Sequence, residues 1–250
     1  MKGGLLLKIW DSTKTRSTMD IDLKGVTSNK ESLVLKQIDK ILSHPVNPDG
    51  IVFDASSLKA DSITDDSEYS GLRIRFLGFI GAMRIPMQLD IGFGDVVTPN
   101  PIILDYPVLL DFPAPKLLCY NMESVIAEKV EAMISLGRIN SRMKDFYDIW
   151  FLASHNHFSL RSLTESIVAT LNNRGTELPD MIEAFTEEFI DAKRSQWQAF
   201  IRRSKLYDAP EDFSVIMSLL IEFLTPVLYD LNEVIHENNI REWNLVDGWK

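Results

Sequence analysis

The chain has 250 residues, with 26 Lys plus Arg against 36 Asp plus Glu, a formal net charge of −10. Hydrophobic residues make up 45% and aromatic residues 10%, enough apolar surface to bury a core, which excludes a disordered chain. A single cysteine, Cys119, excludes a disulfide scaffold and fits a reducing compartment. No apolar run reaches the roughly 18 residues of a membrane helix, and Leu5 to Leu7 is too short for a secretory segment, so a cytoplasmic location is expected. The acidic balance argues against a protein that coats nucleic acid through its overall field, but leaves room for an enzyme that grips phosphate with local cations.

In chain order, residues 3–10 read as a short helix opened by Gly3-Gly4. Residues 17–23 read as a strand, with Met19, Ile21 and Leu23 on one face and Asp20 and Asp22 on the other. Residues 29–43 read as an amphipathic helix with Leu33, Leu35, Ile38, Ile41 and Leu42 inward and Ser28 or Asn29 as cap. A turn through Pro45, Asn47, Pro48 and Gly50 leads to a short apolar strand, Ile51 to Phe53. Residues 71–79 and 86–93 alternate as strands: Leu72, Ile74 and Phe76 oppose Arg73 and Arg75, and Met87, Leu89, Ile91 and Phe93 oppose Gln88, Asp90 and Gly92. Pro101, Pro107, Pro113 and Pro115 predict irregular chain. Helices are expected at 121–136, 141–154, 159–172, 179–204 (broken or whole) and 211–237. The fold class is therefore α/β (α+β), a mixed sheet with helices over 1–118 followed by an α-helical bundle over 119–250.

The chemistry centres on Asp20-Ile21-Asp22. Carboxylates two apart on a strand point the same way and offer hard oxygen ligands suited to Mg²⁺. The competing interpretation is a solvated strand face. Asp90, on the non-core face of another strand, is placed to join them, and Gly3-Gly4 lies upstream where a helix start would favour phosphate. This is the layout of polymerase-β-type nucleotidyltransferases, in which two or three carboxylates hold metal and the third can accept a proton. In helix 121–136, Lys129 falls inside the stripe of Met122, Val125, Ile126 and Met133. It either snorkels from the edge, pairs with a neighbouring helix, or meets nucleotide phosphates. Asp145 and Asp148 lie one turn apart beside the core face of Phe146, Ile149, Trp150 and Ala153, as partners for Arg142 or Lys129 or as carboxylates that orient that lysine.

Four segments occur together and in order: Lys2-Gly3-Gly4-Leu5-Leu6-Leu7, Arg16 through Leu23, Glu123 through Lys129, and Arg142 through Asp148. On these the chain resembles the AbiEii/AbiGii toxin family, nucleotidyltransferase-like proteins of type IV toxin–antitoxin and phage-abortive systems. The related MenT toxins, similar in outline, attach nucleotides to tRNA 3′ ends. The resemblance implies that Gly3 and Gly4 hold the triphosphate, Asp20 and Asp22 bind metal, Lys129 is the essential lysine, and Asp145 the late aspartate. Asp90 is assigned from strand geometry and the general superfamily layout. Arg73, Arg75 and Lys59 are the cationic candidates for the family's second motif. The chain departs from the pattern in three ways. Fifteen residues separate Gly4 from Asp20, Gly4 stands where a serine is common, and Met1-Lys2-Gly3-Gly4 opens the chain where relatives have a helical stretch first.

The implied activity is Mg²⁺-dependent nucleotide transfer from an NTP to a hydroxyl, with tRNA as acceptor and an antitoxin as partner. Two alternatives are an inactive module that works by protein contacts, and a two-metal phosphohydrolase. Elsewhere, His155 and His157 are expected to satisfy helix-end carbonyls, and Cys119 to act as a small hydrophobe. Trp197, Phe200, Phe213 and Phe223 are expected in the core, while Trp243 and Trp249 dock on the bundle or bind a partner. Lys193, Arg194, Arg202, Arg203 and Lys205 form the densest basic stretch, a solvated face or a contact for an RNA backbone.

Overall fold

The computed structural model describes residues 1–11, 16–64, 70–229 and 241–250. They divide into two compact units, one of Met1–Leu6 and Thr18–Asp95, the other of Leu7–Ser17 and Val96–Lys250.

The first unit is a four-stranded mixed sheet backed by one helix. After a 3₁₀ turn at Gly3–Leu6 come β1 (Ile21–Gly25), a helix at Glu31–Leu42, and β2 (Ile51–Thr64), β3 (Ser70–Ile80) and β4 (Met83–Phe93). The sheet order is β1-β4-β3-β2, with β1 parallel to β4 and the other pairs antiparallel. Alternation places Leu72, Ile74, Phe76 and Ile91 on one face, where Val34 and Ile38 of the helix complete the core. The helix is rotated from its expected setting: Val34 and Ile38 are buried, while Leu33 and Ile41 are exposed. Lys30, not Ser28 or Asn29, is its N-cap, and Ser28 Oγ accepts from the Lys30 amide just outside. The short strand expected at Ile51 to Phe53 runs on to Thr64 through a register shift between Asp54 and Lys59. There Ser57 Oγ accepts from the Leu77 amide, so a hydroxyl replaces a ladder carbonyl across the bulge.

The second unit is helical, with small strands at its margins. Numbering the helix of the first unit α2, the helices here are α1 (Leu7–Trp10), α3 (Met122–Leu136), α4 (Met143–His155), α5 (Leu160–Arg174), α6 (Glu187–Ser204) and α7 (Phe213–Tyr229). The Pro-rich stretch holds a hairpin, β5 (Ile102–Asp105) with β6 (Lys116–Cys119), where irregular chain was expected. The expected 118/119 boundary falls inside this unit. Asn121 caps α3 by accepting from the Ser124 amide, and Thr186 caps α6 by accepting from the Phe189 amide. The long helical stretch at 179–204 breaks before Glu187, and the helix expected to 237 is described only to Tyr229, since residues 230–240 lie outside the described ones.

Its core is aromatic. Phe146 packs edge-on to Phe213, and Trp197, fully buried, donates from Nε1 to the Pro210 carbonyl. The tail docks on the bundle: β8 (Glu242–Asn244) joins β7 (Phe158–Ser159) and β9 (Gly248–Trp249) in a small antiparallel sheet. Trp243 donates to the Ala153 carbonyl, and Trp249 stacks on Phe223 and donates to that residue's carbonyl. Among the described residues no helix is long and apolar enough to cross a membrane.

Candidate active site

The polar face of the sheet gathers most of the residues singled out from sequence. Asp20 immediately precedes β1, and Asp22 lies within it, in register with Asp90 of β4. Asp90 is in turn opposite Arg73 of β3. Gln88 Nε2 donates to Asp20 Oδ1 at 2.9 Å and reaches Asp90 Oδ2 at 3.4 Å, linking two of the three carboxylates.

Gly3 completes this group. The Lys2 amide donates to the Asp22 carbonyl at 2.9 Å, which lays the chain's first residues against β1. Gly3 takes φ +73°, and a Cβ there would sit 1.9 Å from Asp22 Oδ2. Only glycine permits both that backbone and that approach, so the glycine turn and the carboxylate share one small space. Lys2 itself pairs with Asp95 at 2.6 Å.

Arg73 holds Asp90 with two parallel bonds of 2.8 and 2.7 Å. The bond to Asp90 keeps the guanidinium protonated beyond its ordinary range, against partial burial, with the charges of Asp90, Asp20 and Asp61 adding to it. Asp90 is therefore committed to Arg73 in this conformation. Among the described residues no three His, Cys, Asp or Glu side chains group closely enough to hold a metal ion. Asp20 and Asp22 remain a pair of hard oxygen donors on one face, a fit to two ligands of Mg²⁺. The other cationic candidates have other surroundings: Arg75 pairs with Asp61 at the exposed surface, and Lys59 sits on β2 opposite Arg75.

The second group lies inside the helical unit. Lys129 of α3 is held inward by Asp145 at 2.9 Å and Asp148 at 2.7 Å, both on α4. Arg16 grips Asp148 through Nε and a terminal nitrogen at 2.7 and 2.8 Å, and Arg142 Nε pairs with Asp145 at 2.7 Å. Burial pulls the Lys129 ammonium down, but Asp145 and Asp148 outweigh it and its pKa ends raised. Burial pushes Asp145 up, and Lys129 and Arg142 outweigh that, leaving its carboxyl below the ordinary range.

Three members of these groups carry no role in the sequence reading: Arg16, Gln88 and the bidentate hold of Arg73 on Asp90. Arg16 stands in the quoted Arg16–Leu23 segment, and its helical partner Asp148 is one turn beyond Asp145, so the spacing held the signal. The register that pairs Arg73 with Asp90 is invisible until β3 and β4 are aligned. The remaining expectations resolve simply. His155 Nδ1 bonds the Phe151 carbonyl, and Cys119 is buried, its thiol raised by desolvation. Lys193 is buried with its ammonium over the Phe189 ring, and Arg194 pairs with Asp191 and Asp212, so the basic stretch reduces to its last three members.

No curated protein matches the chain. Among solved structures, JHP933 from Helicobacter pylori superposes with a TM-score of 0.51 at 16% identity, covering 94% of this chain and 85% of its own, a likeness of fold. A second H. pylori protein, assigned as a nucleotidyltransferase, gives 0.46 at 15% identity, with 93% and 87% of the two chains covered. The family model described as nucleotidyl transferase AbiEii toxin, type IV TA system, matches residues 1–218. With that match spanning most of its length, the chain belongs to the AbiEii nucleotidyl transferase toxin family of type IV toxin–antitoxin systems.

Proposed function

We propose that this nucleotidyltransferase transfers a nucleotide from an NTP to a hydroxyl, with Mg²⁺ as cofactor and the 3′ end of a tRNA as acceptor. The observation that carries the reading is the fit of Gly3 against Asp22, which sets a glycine backbone directly beside one carboxylate of the pair. In this proposal Asp20 and Asp22 hold the metal, and the amides of Gly3 and Gly4 receive the triphosphate. Bound there, Mg²⁺ supplies charge neutralisation for the phosphates and for the departing pyrophosphate.

The chain's own residues do the rest. Gln88 orients the Asp20 carboxylate. Asp90 serves as third carboxylate or as the acceptor of the hydroxyl proton once Arg73 releases an oxygen. Lys129 acts as the cation for phosphate, with Asp145 and Asp148 fixing its direction. The family's place in type IV toxin–antitoxin systems supports a cognate antitoxin as partner.

Label transfer tests this. The protein is incubated with Mg²⁺, each α-labelled NTP in turn, and total tRNA, beside the Asp20→Asn/Asp22→Asn variant. The expected result is label on RNA with one preferred base, lost in the variant by about a thousandfold or more. Release of free phosphate or nucleotide without labelled RNA would instead identify a phosphohydrolase.

A further inference from the structure

The helical unit holds a cavity of about 350 Å³ that the proposed chemistry does not use. One wall is α4, with Tyr147, Trp150, Phe151 and His155; the other is the connection from α6 to α7, with Lys205, Tyr207 and Asp208. Tyr147 and Phe151 are stacked 6.0 Å apart, and His155 lies on Phe151 at 4.6 Å. A carbonyl can only accept, so the His155 bond to Phe151 places a proton on Nδ1. The phenol of Tyr147 is pushed up to about 12 by burial first and then by the charge of Asp148, so it stays a neutral donor.

The rim is unusual in two respects. Tyr207 is 87% exposed, a flat ring standing in solvent beside the opening. Lys205 takes φ 55° at the end of α6, and among the described residues it is the one non-glycine with positive φ. Glycine is the ordinary occupant of that position, so a lysine there carries a backbone cost. Arg203 and Lys205 are exposed and have no ion-pair partner among the described residues, whereas Arg202 donates to the Gln198 carbonyl of its own helix. Cations in a last helical turn commonly offset the helix dipole. That accounts for Arg202 and Arg203, but not for a strained lysine just past the helix end and lining a cavity.

We infer that this cavity binds an unpaired nucleotide of a single-stranded RNA, its base among Trp150, Tyr207 and His155 and its phosphate at Lys205. Stacking on aromatic rings with cations tracking the backbone is how single strands are held without a duplex groove. Asp208 sets the orientation: its carboxylate repels a phosphate from the interior and accepts from the N–H edge of a base. With a net charge of −10 on the chain, attraction is confined to this rim and is salt-sensitive. The role of the bound strand as acceptor rests on the nucleotidyl-transfer reading; the binding itself does not.

The test is fluorescence anisotropy with a 5′-fluorescein RNA hexamer, without NTP, against an abasic strand of equal length. The RNA is expected to bind about tenfold tighter than the abasic strand, and Tyr207→Ala, a change at an exposed ring, to lose about tenfold. Lys205→Gly is expected to raise the melting temperature while weakening RNA binding, a split that a purely structural lysine would not give. Because neither NTP nor Mg²⁺ is present, this readout is separate from the transfer chemistry. Equal affinity for the abasic strand, or no loss in Tyr207→Ala and Lys205→Gly, overturns the proposal. So does absence of RNA binding with an aromatic-tipped peptide seated in the cavity, which would mark a protein contact.

Discussion

The two charged groups of this protein use the same residue types under opposite conditions. On the sheet, Asp20 and Asp22 are partly exposed, and Asp20 is held by the neutral amide of Gln88. In the helical unit, Asp148 is fully buried and shared between Lys129 and Arg16, and Asp145 between Lys129 and Arg142. A carboxylate that is to receive a metal must keep lone pairs within reach of solvent. One that is to orient a lysine is better spent entirely on its partners. On the proposed function, burial rather than residue identity separates the two tasks.

This contrast can be broken most forcefully on the sheet. Replacing Asp20 and Asp22 by Asn should abolish transfer while lowering the melting temperature only slightly, because both side chains are partly exposed and Asn keeps their size. A large drop in melting temperature would show the pair to be structural. In the helical unit the balance should reverse. Asp148→Ala takes a fully buried carboxylate away from both Arg16 and Lys129, and urea denaturation should register a loss of about 3–5 kcal/mol.

A smaller effect is expected from pH. Because the Asp145 carboxyl is lowered in the folded protein, its contribution is present above the unfolded value of 3.8 and is lost as pH falls through the folded value. Lys129 mirrors it: raised in the fold, its contribution is present below 10.5 and is lost as pH rises beyond. Asp145→Asn should therefore flatten the acid limb of a stability–pH curve, although the folded protein starts less stable. The smallest effect belongs to the exposed Arg161–Glu165 pair on α5, where Arg161→Ala should cost no more than about 0.5 kcal/mol by the same denaturation.

Much of this was legible in the chain. The alternation of β3 and β4 is strict, so the placing of Arg73 and Asp90 off the core face follows from a period of two. Lys129 inside an apolar stripe announced a buried partner, and the one-turn spacing of Asp145 and Asp148 supplied two. Other parts were hidden for physical reasons. β2 beyond Phe53 is polar and interrupted by a bulge, so no alternation survives to mark it. Strands of two or three residues, such as β7, β8 and β9, are too short to show any period. The hairpin of β5 and β6 is enclosed by prolines that suggested irregular chain throughout.

The docked tail has a practical corollary. Trp243 and Trp249 join Trp10, Trp150 and Trp197, and all five tryptophans fall within the helical unit, none in the sheet unit. Intrinsic emission excited at the red edge of absorption is thus a private signal of one half of the molecule, while far-ultraviolet dichroism sums both. Coincident traces from the two probes would mark a single cooperative transition. Separated traces would give each half its own midpoint, with no label attached to the protein.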